Sequence, residues 1–140
     1  MTTDVFCRIV AGDAPAFEVM RTGTLVAFLD TRPLFPGHTL LVPTVHVQTY
    51  AELPPELARE WVDTSQRLER AVESAMGADG SMILMNNVVS QSVPHLHLHV
   101  IPRSKGDGLR FWLGPRRPYK TDAEAQQTAD GIRRALSELS

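Results

Sequence analysis

The chain has 140 residues, 43% hydrophobic and 21% charged, which suits one compact domain and excludes a disordered tail. Its formal charge of −2 argues against a generic nucleic-acid coat, whose surface is usually strongly basic. The single cysteine, Cys7, excludes an intrachain disulfide framework and suits a reducing compartment.

Met1 to Asp4 shows no basic-then-apolar leader pattern, and no run approaches the ~20 apolar residues of a spanning helix. The expectation is a cytoplasmic protein with no membrane association. Phe17 to Met20 and Leu25 to Leu29 read as short strands around a turn at Thr22-Gly23. Pro33, Pro36 and Gly37 then break the chain before a third strand, Thr39 to Val42. Pro54-Pro55 opens a helix that runs to about Met76 and is stopped by Gly77. Its inward face is Leu57, Trp61, Thr64, Leu68, Val72 and Ala75, at spacings of three or four. Met82 to Met85 and His95 to Ile101 read as the fourth and fifth strands, and Asp122 to Leu139 as a terminal helix capped at Thr121 or Asp122. Strands gathered on either side of one long helix predict an α+β fold with an antiparallel sheet.

Charge is uneven along this map. Six cations between Arg103 and Lys120 oppose only Asp107, a local net of +5, so the remainder carries −7. That stretch reads either as a solvated loop or as a rim attracting phosphorylated ligands.

His95-Leu96-His97-Leu98-His99-Val100-Ile101 carries most of the chemistry. On a strand, alternate side chains share a face, so the three imidazoles form a row while Leu96, Leu98 and Val100 enter the core. Such a row suits metal ligation, or nucleophilic catalysis by a neutral imidazole at phosphorus. Spacing alone does not choose between them. The surroundings favour the second. Ser90-Gln91-Ser92 precedes the row, Asn86-Asn87 lies before that, and the basic turn Arg103-Ser104-Lys105 follows. Neutral and cationic donors around a histidine row suit an oxyanion or phosphoryl group.

The stretch Gln91-Ser92-Val93-Pro94-His95-Leu96-His97-Leu98-His99-Val100-Ile101-Pro102-Arg103 resembles the signature of the histidine-triad (HIT) family of nucleotide hydrolases and transferases. Phe28 to Pro33, Pro36 to Pro43 with His46, and the opening Val5 to Gly12 extend the resemblance in family order. It implies one HIT domain over residues 1–140, with its core at about 5–105 and a basic loop and C-terminal helix over 103–140. It further implies a five-stranded antiparallel sheet per subunit, one long helix and a homodimer with two nucleotide sites. No stable nucleic-acid complex is implied.

By resemblance, His97 is the nucleophile that forms a covalent nucleotidyl-histidine, later hydrolysed by water. His99 contacts the phosphate and helps the leaving group, with His95 supporting and His38 orienting the row from behind. Gln91, Ser92 and Asn86 would bind phosphate or leaving group, Asn87 being able to stand in for Asn86. Asp30 would take the ribose hydroxyls, and Val5, Phe6, Ile9 and Phe28 would line a purine pocket. The implied substrates are nucleoside phosphoramidates or dinucleoside polyphosphates, cleaved at the α-phosphate. The third histidine, His99, points to hydrolysis rather than transfer.

The sequence departs from the family where many members open with Cys-x-x-Cys and bind structural zinc: here Asp4 stands at the first position and only Cys7 remains. The expectation is therefore no required cofactor and no metal, with zinc on Asp4, Cys7, His46 and His95 as the alternative. Two other readings of the chain are a metal-dependent site on the three histidines and a nucleotide-binding adaptor with little catalysis. Phe111-Trp112 is assigned to a dimer contact, the active site or a core cover without a choice among them.

Overall fold

A computed structural model describes residues 3–110 and 114–139, so Phe111-Trp112 lies outside the described residues. The chain folds as α1 (Val5–Ala11), β1 (Glu18–Arg21), β2 (Leu25–Leu29), β3 (Thr39–Pro43), α2 (Ala58–Met76), β4 (Gly80–Leu84), β5 (Leu98–Arg103) and α3 (Asp122–Glu138). Its contacts divide into two compact units, Met1–Asp107 and Gly108–Ser140. No helix among the described residues is long and apolar enough to cross a membrane.

The first unit holds a five-stranded antiparallel sheet in the order β1-β2-β3-β5-β4. Its two faces follow from alternation in the central strands. Leu25, Ala27, Leu41, Leu96, Leu98 and Val100 pack beneath Trp61, Leu68 and Val72 of α2. Val26, Phe28, Leu40 and Val42 pack on the opposite face against Phe6 and Ile9 of α1. The functional side chains gather on this second face.

Five elements differ from the sequence expectation, two of them only in bounds: β1 is Glu18–Arg21 against the expected Phe17 to Met20, and β4 is Gly80–Leu84 against the expected Met82 to Met85. Residues 5–11 form a helix, closed at one end by Asp4, whose Oδ1 accepts the Cys7 N–H at 2.8 Å, and at the other by left-handed Gly12. The Pro54-Pro55 start opens only a 3-10 turn (Pro55–Leu57), and α2 begins at Ala58. The fifth strand begins at Leu98 rather than His95, because its pairing with β3 reaches only to Leu41 and Leu98. His95 and His97 therefore lie in a bent lead-in, held where the Leu96 N–H donates to the Val47 carbonyl at 2.7 Å. Ala75, expected on the inward face of α2, is exposed.

Gly37 sets the entry to β3. Its φ of +96° lies in the left-handed region, and a Cβ there would meet Met76 Cγ at 2.5 Å. The loop then closes where the Asp30 N–H donates to the His38 carbonyl at 2.9 Å, bringing Asp30 and His38 together.

Candidate active site

His97 is 3% exposed, and its Nδ1 lies 2.7 Å from the His95 carbonyl oxygen. A carbonyl only accepts, so Nδ1 carries the proton and Nε2 keeps its lone pair. The Phe6 ring meets the imidazole edge-on, centroids 5.0 Å apart, and restricts its rotation.

His99 is fixed by a second chain of hydrogen bonds. The Leu34 N–H donates to His38 Nδ1 at 3.1 Å, which leaves the His38 proton on Nε2. That Nε2–H donates to His99 Nδ1 at 2.9 Å, so the His99 proton resides on Nε2. Asp30 Oδ2 stands 3.6 Å from His38 Nε2. The His97 and His99 rings lie 4.9 Å apart. One offers an unprotonated nitrogen and the other an N–H donor.

Electrostatics keeps both neutral. Burial is the largest influence on His99, and with the neighbouring His97 and His38 it lowers the pKa to about 4 against the pull of Asp30. Burial likewise lowers His97, against the raising effect of its bond to the His95 carbonyl, and lowers His38 against Asp30.

Both rings line a cavity of about 270 Å³. Val5, Phe6, Ile9 and Phe28 form its apolar wall, with Phe6 and Phe28 edge-to-face at 5.4 Å. Asp30 and Ser92 also line it. Sequence reasoning missed Pro15, Ala16, Leu29, Thr31, Arg32, Leu40 and Val93 in the lining. Arg32 had a local signal: Asp30 Oδ1 accepts the Arg32 N–H at 2.8 Å, a turn that Asp two residues upstream commonly makes.

Three expected residues sit apart from that lining. Gln91 turns to Gln48, donating from Nε2 to its carbonyl at 2.7 Å. Asn86 donates from Nδ2 to the Ser90 carbonyl at 3.3 Å, and Asn87 Oδ1 accepts the Tyr50 N–H at 2.8 Å. The loop holding them places Val88 and Ser90 at φ of 69° and 63°, left-handed conformations that are strained for a β-branched side chain. Of the basic turn after the strand, Arg103 is engaged by Asp107 at 2.7 and 3.1 Å and stays outside the cavity lining.

His95 belongs to a second cluster. Its ring is fully buried, and Nε2–H donates to the Pro43 carbonyl at 2.9 Å, leaving Nδ1 unprotonated. That nitrogen faces Asp4 Oδ2 at 3.3 Å and Cys7 Sγ at 3.5 Å. His46 Nδ1 lies 2.9 Å from the same carboxylate oxygen and 3.3 Å from Sγ. Burial raises the Asp4 carboxyl, but the Cys7 N–H and His95 outweigh it and hold it below its ordinary value. Burial and the Asp4 charge push the Cys7 thiol up. His95 thus reaches the row through its carbonyl, while its ring serves this cluster.

Asp4, Cys7, His46 and His95 each offer one donor atom, all within 4.8 Å of one another. Four of the five donor separations, at 3.3 to 3.5 Å, fall on the ~3.3–3.8 Å edges of a tetrahedron with metal–ligand bonds of about 2.0–2.3 Å, and the His46–Asp4 separation of 2.9 Å is shorter. One thiolate, one carboxylate and two imidazoles form a set that zinc accepts, and the His95 Nε2–H bond to Pro43 fixes the tautomer a ligand needs.

The chain belongs to the HIT family: a family profile for the HIT domain matches residues 11–106. It is 37% identical over 136 residues to a HIT-like protein of Mycobacterium tuberculosis, covering 96% of this chain and 93% of that protein. It is 34% identical to an adenylylsulfatase of Arabidopsis thaliana (96% and 70% covered). An adenosine 5'-monophosphoramidase of Schizosaccharomyces pombe is 35% identical (92% and 98% covered). Among solved structures, a HIT family member from Bacillus subtilis superimposes with a TM-score of 0.85 at 32% identity, over 95% of this chain and 96% of that one. A zinc-bound histidine-triad protein from Mycobacterium smegmatis superimposes at 0.71 and 37% identity, over 96% and 94%. Hydrolases of nucleotide phosphoramidates and sulfates are thus represented among its relatives.

Proposed function

We propose that the protein hydrolyses purine nucleotides at the α-phosphate, taking nucleoside phosphoramidates or dinucleoside polyphosphates, through a covalent nucleotidyl-histidine on His97. The observation that carries this reading is the pairing of tautomers: unprotonated His97 Nε2 beside protonated His99 Nε2 at the wall of one cavity.

His97 Nε2 attacks phosphorus with its lone pair. The Nε2–P bond forms as the bond to the leaving nitrogen or oxygen breaks, and the leaving group departs with those electrons. The His99 Nε2–H faces the charge that develops on the phosphoryl oxygens and the leaving atom, and needs no reorganisation to do so. Water then attacks phosphorus and gives up a proton to solvent as the Nε2–P bond breaks, offsetting the proton the departed nitrogen or oxygen takes up, and the nucleoside monophosphate leaves with the neutral imidazole restored.

Asp30 would accept ribose hydroxyl hydrogens, and the apolar wall of Val5, Phe6, Ile9 and Phe28 would take a purine; their shared cavity supports both roles. Ser92 lines the phosphate end, and Gln91 and Asn86 join it when the Gln48 and Ser90 contacts exchange for phosphate oxygens. His38 holds His99. His95 holds His97 through its carbonyl.

Asp4, Cys7, His46 and His95 would hold a zinc ion, supplying a structural crosslink rather than a reacting group. The zinc-bound relative from M. smegmatis supports that assignment. The reading also keeps a cytoplasmic homodimer acting on free nucleotides, with no role for nucleic acid or membrane.

A turnover panel of adenosine phosphoramidate, an acyl-adenylate, and diadenosine tri- and tetraphosphate tests the substrate class. Release of adenosine monophosphate from at least one, abolished in His97→Ala with nucleotide binding retained, is expected. Binding without turnover across the panel contradicts the reading and favours an adaptor. Turnover that is lost to chelators because metal leaves the three histidines contradicts it in favour of a metal-dependent site.

A further inference from the structure

Arg32 is a cation at the nucleotide cavity to which the proposed reaction gives no role. It lines the cavity with Asp30, and these two carry the only formal charges of that lining, since burial keeps His97 and His99 neutral. The Arg32 side chain is exposed, and among the described residues only its backbone N–H is bonded, to Asp30 Oδ1 at 2.8 Å. The Asp30 carboxylate does not hold the guanidinium; its Oδ2 stands toward His38 Nε2 at 3.6 Å. Arg21 and Arg103 behave differently. Each is engaged at 2.7 Å by an acid three or four residues away. Arg32 is thus open to a ligand although an acid lies two residues from it.

The local backbone sets where this side chain begins. The bond to Asp30 closes a turn over residues 30–32, and Pro33 disfavours helical backbone at Arg32. The turn directly follows β2, which carries Phe28 of the apolar wall. The stem therefore leaves the chain beside the carboxylate assigned to the ribose, at the edge of the surface assigned to the base.

That position narrows the chemistry. The α-phosphate is assigned to the neutral donors His97, His99 and Ser92, and the ribose hydroxyls to Asp30. The remaining part of the ligand at this end is the purine. One purine face would lie on Phe6 and Phe28, and the other would meet water. A guanidinium is planar and weakly hydrated, and it stacks on an electron-rich ring face.

We infer that Arg32 clamps the base, its guanidinium stacking on the purine face turned away from Phe6 and Phe28. The inference rests on the proposed placement of phosphate, ribose and base, and adds to it a residue that holds the nucleoside without touching the reacting atoms. Arg32 then acts on ligand affinity, and the histidines on the chemical step.

The test titrates full-length native protein, Arg32→Ala and Arg32→Lys with adenosine and with adenosine monophosphate by calorimetry. Arg32→Ala is expected to weaken both ligands by a similar factor, about 3–30-fold. Arg32→Lys should recover little of either loss, because an ammonium keeps the charge and lacks the stacking plane. Melting temperatures of the free proteins should agree, since the side chain is exposed and unbonded. With adenosine phosphoramidate the loss should appear in KM, with kcat little changed. A loss confined to adenosine monophosphate, or full recovery by Arg32→Lys, makes Arg32 a point charge for phosphate and overturns the inference. Unchanged binding by Arg32→Ala overturns it and leaves the proposed reaction standing. Native protein that binds neither ligand overturns both. Binding without turnover contradicts the reaction alone, and the comparison of Arg32 variants still decides the clamp.

Discussion

The His38 Nε2–H donates to His99 Nδ1 at 2.9 Å, and this single bond decides which nitrogen of His99 faces the cavity with a proton. Leu34 fixes the direction by donating its N–H to the far side of His38. Replacing His38 by Ala leaves both the Leu34 N–H and His99 Nδ1 without these partners. Stability is expected to fall by about 1–3 kcal/mol. Turnover should fall by ~10–100-fold with KM little changed, because His99 loses its tautomer rather than its contact with the ligand. Urea unfolding and steady-state kinetics of His38→Ala check both; a raised KM with unchanged kcat contradicts this role.

His99 ties stability to pH. Its pKa is about 4 in the folded chain, below the ordinary histidine value of 6.5. Between those values the unfolded chain binds more protons, so folding is favoured above pH ~6.5 and weakens on acidification toward pH ~4. His38 and His97 shift in the same direction, so the three rings together make the folded chain less stable in acid. Urea midpoints at about pH 7.5 and about pH 4.5 should separate more in the native protein than in His99→Gln. Equal separations contradict the burial argument.

Two backbone positions have opposite expectations. Gly37→Ala meets Met76 Cγ at 2.5 Å in a left-handed conformation, and should destabilise by ~2–3 kcal/mol. Adding Met76→Ala should recover only the steric part of that loss. Val88 is the converse, a β-branched residue held at φ 69°. Val88→Gly relieves strain of about 1–3 kcal/mol and should leave stability unchanged or raised. Melting temperatures of the three variants against the native protein decide, and a strongly destabilised Val88→Gly would show the loop to be unstrained.

Metal removal should separate structure from chemistry. Protein purified without chelator is expected to carry one zinc per chain, and Cys7→Ser to carry it more weakly. Stripping the ion should lower the melting temperature, since an ion on these four donors would tie the N-cap and first turn of α1, the segment after β3 and the histidine lead-in together. Turnover should survive well below the new melting point. Zinc-free native protein with an unchanged melting temperature after chelation contradicts the assignment.

The sheet, α2 and α3 were legible because Leu25 to Leu29 and Thr39 to Val42 are short apolar runs bounded by turn residues, Trp61 to Val72 keeps a helical period, and Thr121 caps α3. The cavity walls Val5, Phe6, Ile9, Phe28, Asp30 and Ser92 were reached through the family resemblance. What the sequence could not show depended on partners distant along the chain. The His95 ring is drawn from the row by Asp4, Cys7 and His46, and Gln91 is turned aside by Gln48. Helix α1 escaped notice because seven residues are too few for a periodic signal, though Asp4 and Gly12 bracketed it.

The covalent role proposed for His97 is open to one direct measurement. Rapid quenching of the enzyme with adenosine phosphoramidate labelled at phosphorus, into base that preserves a phosphorus–nitrogen bond, measures it directly. Label recovered as an adenylyl group on the peptide carrying His97, formed before product and absent in His97→Ala, is the result expected. Product formation with no labelled enzyme at any time, or undiminished turnover by His97→Ala, would contradict it.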